Sequence, residues 1–434
     1  MGGSDFTVYL FGSSVPWGFP YAPNCDVGKI VAQTWSNSVN GCDLVVRNEA
    51  RYGAPSRYVL ERTRSVAQHT HAPGRAIALV YSGNNEFIHL SPDRDSRGRG
   101  PMLVSAAERR SIVESHRRHL EASVQMLRDA GIEVVLSTIP TNLRDWPPSY
   151  TVLTDERAEY FEDLYSRAAD AGRAGRLDDA ERLLQDILGS DPEFAQAHFL
   201  LGRILLAAGR AEDARPHLVA ANDFDGRPIR AISNVNKNIR ALAAEHRIRL
   251  LDAEAAFQAE AADGICGSAQ FWDDCHPKLA GFIQLADLLG AHIADFAGLD
   301  AAPAIASSDE VRDGHGMDQT FLAGVYARTG LYCYKHSDCW DSDPTLDLAE
   351  SYLRDALNMA PRSIEVHIAL ALVLARGGDD AGAQGFAGAA IRLDPERANW
   401  LLHGREARVT LGELGIVDVE RWASGETNGP HPTQ

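Results

Sequence analysis

The sequence predicts a three-layer α/β domain with a parallel sheet, interrupted by an inserted helical segment and followed by a second helical domain. Two observations predict this architecture. Short apolar runs alternate with helical patterns along the first part of the chain, which is typical of parallel strands covered on both faces by helices. A 34-residue repeat of helical pattern then occurs twice, before and after the α/β pattern resumes near residue 236.

Apolar runs of strand length mark the sheet. They are Thr7 to Phe11, Leu44 to Val46, Ile77 to Tyr81, Val134 to Thr138 and Ile248 to Asp252. Between the third and fourth runs, residues 105–130 have helical composition and are followed by Gly131, a common helix stop. Helices are also predicted near residues 237–246 and 279–296, so the α/β pattern returns after the helical segment.

The 34-residue repeat organises both helical segments. It relates Gly175-Arg176 to Gly209-Arg210, Ala180 to Ala214, Leu184 to Leu218, Ala349 to Ala383, Ala356 to Ala390, and Ala360-Pro361 to Asp394-Pro395. This period resembles the tetratricopeptide repeat, which implies two antiparallel helices per unit. We therefore predict an α/β domain at 1–156 and 228–300, inserted hairpins at 157–227, a C-terminal helical domain at 301–421, and a flexible tail at 422–434.

Composition and charge argue against several classes of function. The 434-residue chain has a formal net charge of −18, which repels a phosphate backbone and argues against nucleic-acid binding. The N-terminus has no leader pattern and no apolar stretch approaches about 18 residues, so we expect a cytoplasmic protein without a membrane span. Cys333, His336 and Cys339 match no zinc spacing, and we expect a local loop there rather than a metal site.

A candidate nucleophile and its base come from two distant loops. The first predicted strand runs into Phe11-Gly-Ser-Ser-Val-Pro-Trp-Gly18, which places Ser14 at the carboxyl end of a strand, where parallel sheets bind ligands. Phe271-Trp-Asp-Asp-Cys-His-Pro277 supplies His276 as a base and Asp273 to orient it. An ordinary turn and a helix-capping loop are the alternative interpretations of these two segments.

Two further loops offer hydrogen-bond donors for an oxyanion. Residues 48–53 follow the second strand and end in Gly53, whose backbone N–H can approach a substrate closely. Residues 81–87 follow the third strand and contain Asn84 and Asn85, each with a neutral amide donor. Ordinary strand-to-helix turns favour the same residue types, so each loop alone is ambiguous.

Taken in order, the four segments resemble the blocks of the SGNH/GDSL hydrolase family, which carry Ser, Gly, Asn and His in that sequence. The resemblance implies a flavodoxin-like three-layer fold, Ser14 as nucleophile, His276 as base and Asp273 as the acid that orients it. It places the oxyanion hole at the backbone N–H groups of Ser14 and Gly53 and the side chain of Asn85. It implies no organic cofactor and no metal.

The family pattern is not fully matched. Ser13, Pro16 and Glu86 stand where the family has Asp, Thr and Asp, so we expect altered support around the nucleophile turn. Arg144 follows the fourth strand, where it could bind a carboxylate or phosphate of the substrate. A salt bridge that anchors the inserted helices is the alternative role for Arg144.

The resemblance implies a serine-dependent hydrolase that cleaves a carboxylic ester or thioester through an acyl-enzyme on Ser14. One alternative is an acyltransferase that passes the same acyl group to an alcohol or amine in bacterial secondary metabolism. Another is a non-catalytic tetratricopeptide scaffold. The expected partners are a small-molecule acyl substrate and a protein or acyl carrier on the helical repeats, which could otherwise form a lid or enlarge the core.

Overall fold

The computed structural model describes residues 5–69, 75–88, 103–152, 158–337 and 344–402. The chain divides into two compact units, Met1–His315 and Gly316–Gln434. The first unit therefore includes residues 301–315, which lie inside the predicted C-terminal helical domain. The predicted tail at 422–434 and Cys339 are outside the described residues.

The first unit is built on a six-stranded sheet. Its strands are β1 (Phe6–Gly12), β2 (Ser38–Val39), β3 (Cys42–Asn48), β4 (Ala76–Tyr81), β5 (Glu133–Ser137) and β6 (Arg249–Leu251). They lie in the order β2-β3-β1-β4-β5-β6, and all neighbouring pairs are parallel except β2 with β3. Without the short β2 this is the flavodoxin-like strand order, and the predicted α/β fold class is confirmed.

Helices connect and cover the strands of the first unit. They are α1 (Ser14–Trp17), α2 (Val27–Thr34), α3 (Ser56–His69), α4 (Ala106–Asp129), α5 (Ala158–Arg173), α6 (Leu177–Ser190), α7 (Ala195–Ala207), α8 (Ala211–Asp223), α9 (Ser233–His246), α10 (Ala253–Glu260), α11 (Leu279–Phe296) and α12 (Ser308–Gly314). Helices α3, α4 and α9 pack together in one layer, and α2 packs with α11 in another.

The alternating direction of the side chains along β1 explains how α2 and α11 pack on the sheet. Successive side chains of a strand point to opposite faces of the sheet. Phe6 meets Phe296 of α11 with ring centroids 6.0 Å apart, and a Cβ on Gly28 of α2 would come within 2.8 Å of Leu10. Even-numbered residues of β1 therefore face this layer, and glycine at position 28 lets α2 lie close to the sheet.

Helix α11 is a core helix of this unit. Among the described helices it alone is long and apolar enough, by length and composition, to cross a membrane. Eight of its residues are buried, and it packs on α2, β4 and β6. Its apolar character is thus explained by its place between helices and sheet.

The inserted segment consists of the two hairpins α5–α6 and α7–α8, which lie between β5 and β6 in the chain. The turns of the two hairpins are equivalent, because Gly175 and Gly209 both have a φ of +74°, a left-handed conformation that favours glycine. The repeated positions Ala180 and Ala214 are fully buried where helices pack closely. The 34-residue repeat therefore corresponds to one helical hairpin.

A single carboxylate fastens the two ends of the insertion together. Asp225, just after α8, accepts hydrogen bonds from the backbone N–H groups of Ser149 at 2.9 Å, Tyr150 at 3.1 Å and Arg227 at 2.9 Å. The N–H of Gly226 also donates to the carbonyl of Tyr150 at 2.8 Å. The chain thus leaves the α/β domain and returns to it at one buried junction, which we call the Asp225 clasp.

The second unit is helical in its described residues. Its helices are α13 (Gln319–His336), α14 (Pro344–Met359), α15 (Ile364–Arg376), α16 (Asp380–Leu393) and α17 (Pro395–Leu402). The pairs α13–α14 and α15–α16 pack against each other. The alanines that define its repeat, Ala349 and Ala356 in α14 and Ala383 and Ala390 in α16, are all fully buried.

Candidate active site

Ser14 lies at the point where the order of the strands reverses. The chain leaves β1 and places β3 on one side and β4 on the other, which is where open α/β sheets bind ligands. Gly12 permits the turn, because a Cβ at this position would lie 2.1 Å from the carbonyl oxygen of Tyr81 on β4. Ser14 is then the first residue of α1, and it is buried.

His276 joins Ser14 to Asp273. The Nε2 atom of His276 lies 2.7 Å from Ser14 Oγ, and its Nδ1 atom lies 2.6 Å from Asp273 Oδ2. With Nδ1–H donating to the carboxylate, Nε2 carries a lone pair directed at the serine hydroxyl. The structure thus brings together the three residues named from sequence as nucleophile, base and orienting acid, in the geometry that proton transfer needs.

The loop that carries His276 is held by backbone hydrogen bonds. Asp273 Oδ1 accepts from the N–H groups of Cys275 at 3.0 Å and His276 at 2.8 Å. Asn142, in the loop after β5, donates its side-chain amide to the carbonyl of Asp273 at 3.0 Å and its N–H to that of Asp274 at 2.9 Å. Asn142 was not singled out in the sequence analysis.

The predicted oxyanion donors occupy the same edge of the sheet. Gly53 has a φ of +69°, so its position in the loop after β3 favours glycine. That loop is tied to the nucleophile turn, because Arg51 N–H donates to Gly12 O at 3.1 Å and Asn48 Nδ2 to Pro16 O at 2.7 Å. Pro16, a departure from the family pattern, therefore contributes its carbonyl to the support of the turn.

Asn85 follows β4 and offers a prepared donor. Its side chain is only 6% exposed, and its Nδ2 group has no hydrogen-bond partner among the described residues. A buried amide without a partner typically costs about 1–3 kcal/mol, and a bound oxygen atom would remove this cost. Asn85 Nδ2 is therefore available to a bound oxygen atom.

The neighbouring Glu86 ties two site loops together. Its carboxylate accepts hydrogen bonds from the N–H of Ser56 at 2.9 Å and from the Ser56 hydroxyl at 2.6 Å. Ser56 begins α3, shortly after Gly53, so Glu86 connects the loop of Asn85 with the loop of Gly53. The family's shorter Asp is replaced here by a longer carboxylate that caps the start of a helix.

The electrostatics of the site centre on two buried carboxylates. Burial alone would lower the pKa of His276, but the charge of Asp273 and its hydrogen bond outweigh this and raise that pKa above the usual 6.5. Burial and the neighbouring Asp273 raise the pKa of Asp274 to about 6. The pair of carboxylates therefore favours the imidazolium that forms when His276 accepts a proton.

The same loop brings together four side chains of metal-binding types, and two of them are already engaged in hydrogen bonds. Atoms of Asp273, Asp274, Cys275 and His276 all lie within 4.8 Å of one another. Asp273 and His276 are committed to the hydrogen bonds described above. Burial raises the pKa of the Cys275 thiol well above its usual value, which keeps it in the protonated form that binds metals poorly. The residues present thus fit a hydrogen-bonded base better than a metal centre.

Arg144 is engaged in an ion pair on the surface. Its Nη1 atom lies 3.3 Å from Asp263 Oδ2, and both side chains are partly exposed. Its partner belongs to the turn after α10, so the salt bridge differs from the predicted one to the inserted helices. A role of Arg144 in binding substrate stays a prediction.

A buried arginine that the sequence did not single out joins the insertion to the loop after β5. Arg230 donates from Nε to Asn222 Oδ1 in α8 at 2.7 Å and from Nη2 to the carbonyl of Trp146 at 2.9 Å. Its charge opposes the rise in the pKa of Asp274. No motif marks Arg230, because its partners are 8 and 84 residues away in the chain.

Two aromatic side chains flank the imidazole of His276, a third packs against one of them, and no sequence motif indicated this grouping. The Phe19 ring centroid lies 4.5 Å from that of His276, and the Tyr52 ring lies 6.5 Å away and nearly parallel to the imidazole. Tyr52 also contacts Phe19 at 5.3 Å and Trp17 at 5.8 Å. We call Trp17, Phe19 and Tyr52 the aromatic corner.

Comparison with known proteins identifies the repeat in the insertion. The family model described as tetratricopeptide repeat matches residues 165–224, which confirms the predicted repeat in this segment. No curated protein matches the sequence. Forty-eight chains of solved structures do match. Many of these are GDSL-like lipases and esterases.

Three of these structures illustrate the similarity. A GDSL-like lipase from Bacteroides thetaiotaomicron is 12% identical with a TM-score of 0.33, over 67% of this chain and 88% of that chain. A catalytic mutant of an acetylxylan esterase from Geobacillus stearothermophilus is 13% identical with a TM-score of 0.37, over 70% and 98%. A lipase/acylhydrolase from Enterococcus faecalis is 15% identical with a TM-score of 0.34, over 69% and 99%.

Proposed function

We propose that the protein is a serine-dependent ester hydrolase of the SGNH kind, which acts through an acyl-enzyme on Ser14. The observation that carries the proposal is the continuous hydrogen-bonded chain from Ser14 Oγ through His276 to Asp273. A serine hydroxyl is a weak nucleophile until a base removes its proton, and the base needs a fixed tautomer. The hydrogen bond from His276 to Ser14 supports the first requirement, and the hydrogen bond from His276 to Asp273 supports the second.

Acylation follows from this geometry. Ser14 Oγ attacks the carbonyl carbon of the ester while its proton passes to His276 Nε2, and the carbonyl oxygen becomes an oxyanion. The N–H groups of Ser14 and Gly53 and the Nδ2 of Asn85 are the donors for that oxyanion. When the carbon–oxygen bond to the alcohol breaks, His276 returns the proton to the leaving oxygen, so one alcohol is released and the acyl group remains on Ser14.

In deacylation, water takes the place of Ser14 as the nucleophile, and Ser14 becomes the leaving group. A water molecule gives a proton to His276 Nε2 and adds to the acyl carbon. The second tetrahedral intermediate then breaks its bond to Ser14 Oγ, His276 returns the proton to that oxygen, and the free acid leaves. An alcohol or amine in place of water would give the acyltransferase alternative through the same acyl-enzyme. The two activities therefore differ only in what reaches the acyl-enzyme after the first product leaves.

The test compares the wild-type protein with Ser14→Ala, His276→Ala and Asn85→Ala, using p-nitrophenyl acetate with circular dichroism to check folding. We expect the first two variants to fall to the background rate and Asn85→Ala to lose about 10²–10³ in kcat, the usual effect of one oxyanion donor. A fluorophosphonate probe, located by mass spectrometry of the labelled peptide, should modify Ser14 in the wild type only.

Two outcomes would reject the proposal. Equal activity in the wild type and in Ser14→Ala would show that Ser14 is not the nucleophile. A folded wild type that neither turns over ester nor reacts with the probe would favour the non-catalytic scaffold. If the probe labels Ser14 but esters are hydrolysed slowly, supplying an alcohol acceptor and measuring the new ester tests the transferase alternative.

A further inference from the structure

Two side chains of the aromatic corner are exposed to solvent although they lie next to the candidate catalytic residues. Trp17 is 40% exposed and Tyr52 is 45% exposed, yet both lie in the ring cluster that touches the imidazole of His276. Their positions come from the two loops that also supply the nucleophile and an oxyanion donor, since Trp17 follows Ser14 by three residues and Tyr52 precedes Gly53. Exposed aromatic rings that contact one another beside a candidate catalytic histidine are typical of a ligand-binding surface.

The geometry of the rings favours an apolar guest. Trp17 and Tyr52 meet at an interplanar angle of 68°, and Phe19 and Tyr52 at 54°, so the three rings form a corner and not a flat stack. Burial and the neighbouring Asp273 raise the pKa of the Tyr52 hydroxyl to about 12, so the ring stays uncharged at neutral pH. A ring inserted into this corner would gain face and edge contacts at once.

The position relative to His276 indicates which part of an ester the corner receives. During acylation His276 Nε2 gives its proton to the leaving alcohol oxygen, so the group attached to that oxygen must lie next to the imidazole. The rings that flank the imidazole are those of Phe19 and Tyr52. The acyl chain is instead attached to the carbon that Ser14 attacks, so the proton transfer to the leaving oxygen does not require it to lie next to the imidazole.

We propose that Trp17, Phe19 and Tyr52 bind the alcohol part of the substrate, and that this part is an aryl or arylalkyl group. The proposal rests on the function proposed above and specifies its substrate class. In hydrolysis the corner holds the leaving alcohol, and in acyl transfer the same corner holds the acceptor alcohol. Selectivity for the alcohol part is therefore built into the loops of the catalytic residues.

The test is a matched series of esters in which only one part changes. Benzyl acetate and ethyl acetate differ in the alcohol, whereas ethyl phenylacetate and ethyl acetate differ in the acyl group, and a pH-stat follows all three. We expect the wild type to prefer benzyl acetate to ethyl acetate in kcat/KM. Tyr52→Ala and Trp17→Ala should each reduce this preference about tenfold, the size of one good aromatic contact.

Matched controls distinguish loss of the Tyr52 ring from a general loss of stability or activity. Tyr52→Phe keeps the ring and should keep the preference, whereas Tyr160→Ala removes another exposed tyrosine, 62% accessible on α5, and should leave the preference unchanged. Equal losses for benzyl and ethyl acetate in Tyr52→Ala would overturn the proposal. A preference that follows the acyl series instead of the alcohol series would overturn it as well.

A binding measurement distinguishes failure of this proposal from failure of the proposed function. Saturation-transfer NMR should detect benzyl alcohol on the folded Ser14→Ala variant and a weaker signal when Tyr52→Ala is added. This readout needs no turnover, so it decides the proposal even if no tested ester is hydrolysed. Benzyl alcohol binding that is unaffected by loss of Tyr52 would contradict the corner as its site.

Discussion

Asp273 uses both of its oxygen atoms, one on the imidazole of His276 and one on backbone N–H groups of its own loop. This division explains why the tautomer of His276 and the shape of the loop are set together. Replacing one oxygen with an amide nitrogen disturbs only the first of these functions, since the loop can keep its contacts to the remaining oxygen.

We therefore expect Asp273→Asn to fold normally and to lose about 10⁴ in kcat, because the amide presents a donor where His276 needs an acceptor. Steady-state kinetics with p-nitrophenyl acetate measures the loss, and circular dichroism checks the fold. Asp309→Asn, in an exposed ion pair with Arg312, is the matched control and should behave as the wild type. A kcat within tenfold of the wild type in Asp273→Asn would show that another group orients His276.

The pH dependence of the reaction follows from the raised pKa of His276. The imidazole must be neutral to accept the proton of Ser14, so activity is lost as the pH falls through its pKa. Because Asp273 raises that pKa above 6.5, the acid limb of kcat/KM should have its midpoint above pH 6.5. A pH profile between 5 and 9 measures it, and a midpoint at or below 6.5 would contradict the assigned base.

At the scale of elements, the insertion is packed against the loops that frame the site. A small cluster joins α7 and α8 to the two loops that hold the catalytic segment, and its buried members are Leu143, Phe199, Leu218, Ala221 and Ile265. Arg230 adds a polar link at the same boundary. The helical hairpins therefore support the catalytic loop in addition to packing on one another.

Replacing Arg230 should weaken this boundary. Arg230→Met leaves Asn222 Oδ1 and the carbonyl of Trp146 without their donor in a buried place, so we expect a loss of at least about 2 kcal/mol in the free energy of unfolding. Urea unfolding followed by circular dichroism measures it. Arg182→Met removes an exposed arginine of α6 that pairs with Asp179 and should change stability by less than about 0.5 kcal/mol. Equal effects in both variants would contradict the role given to Arg230.

The elements of the fold were largely predictable, because each rests on local pattern. The run Thr7 to Phe11 became β1 with one residue added at each end, and the predicted helix 279–296 has the observed bounds. The strand β2 was not predicted, because a segment of two residues is too short to show the alternating pattern of a strand. Glu86 was noted only as a departure from the family pattern. Its role in holding Ser56 could not be predicted, because the two residues are 30 positions apart in the chain.

The residues of the site could be predicted only where their motifs follow the order known for a family. Ser14, Asp273 and His276 could be named because their blocks resemble a family pattern. The aromatic corner could not, because Trp17, Tyr52 and His276 come from segments far apart in the chain and aromatic residues at single positions indicate core packing equally well. Arg144 was noticed, but its partner Asp263 could not be identified from spacing.

At the scale of the whole molecule, the described helices of the second unit form a core of their own. Leu370 of α15 is fully buried there, in a different unit from the active site. Leu370→Ala should cost about 2–5 kcal/mol in that core. We expect calorimetry to show a lowered transition for the second unit, with fluorophosphonate labelling of Ser14 unchanged.

The control is Leu201→Ala in the inserted α7, an equally buried leucine of the first unit. It should lower the transition of the unit that contains Ser14. A single transition shifted alike by both substitutions would show that the two units unfold as one.

The Asp225 clasp has a consequence for how this chain could change over evolutionary time. Because one carboxylate gathers the outgoing and returning backbone at a single point, and α7 and α8 make the contacts with the catalytic loop, the hairpin α5–α6 is the part of the insertion with the fewest ties to the sheet domain. Helical hairpins could be added, lost or exchanged at the far end of the array without moving β5, β6 or the catalytic loop. The α/β domain and the helical hairpins can thus diversify at different rates, with the clasp as the fixed joint between them.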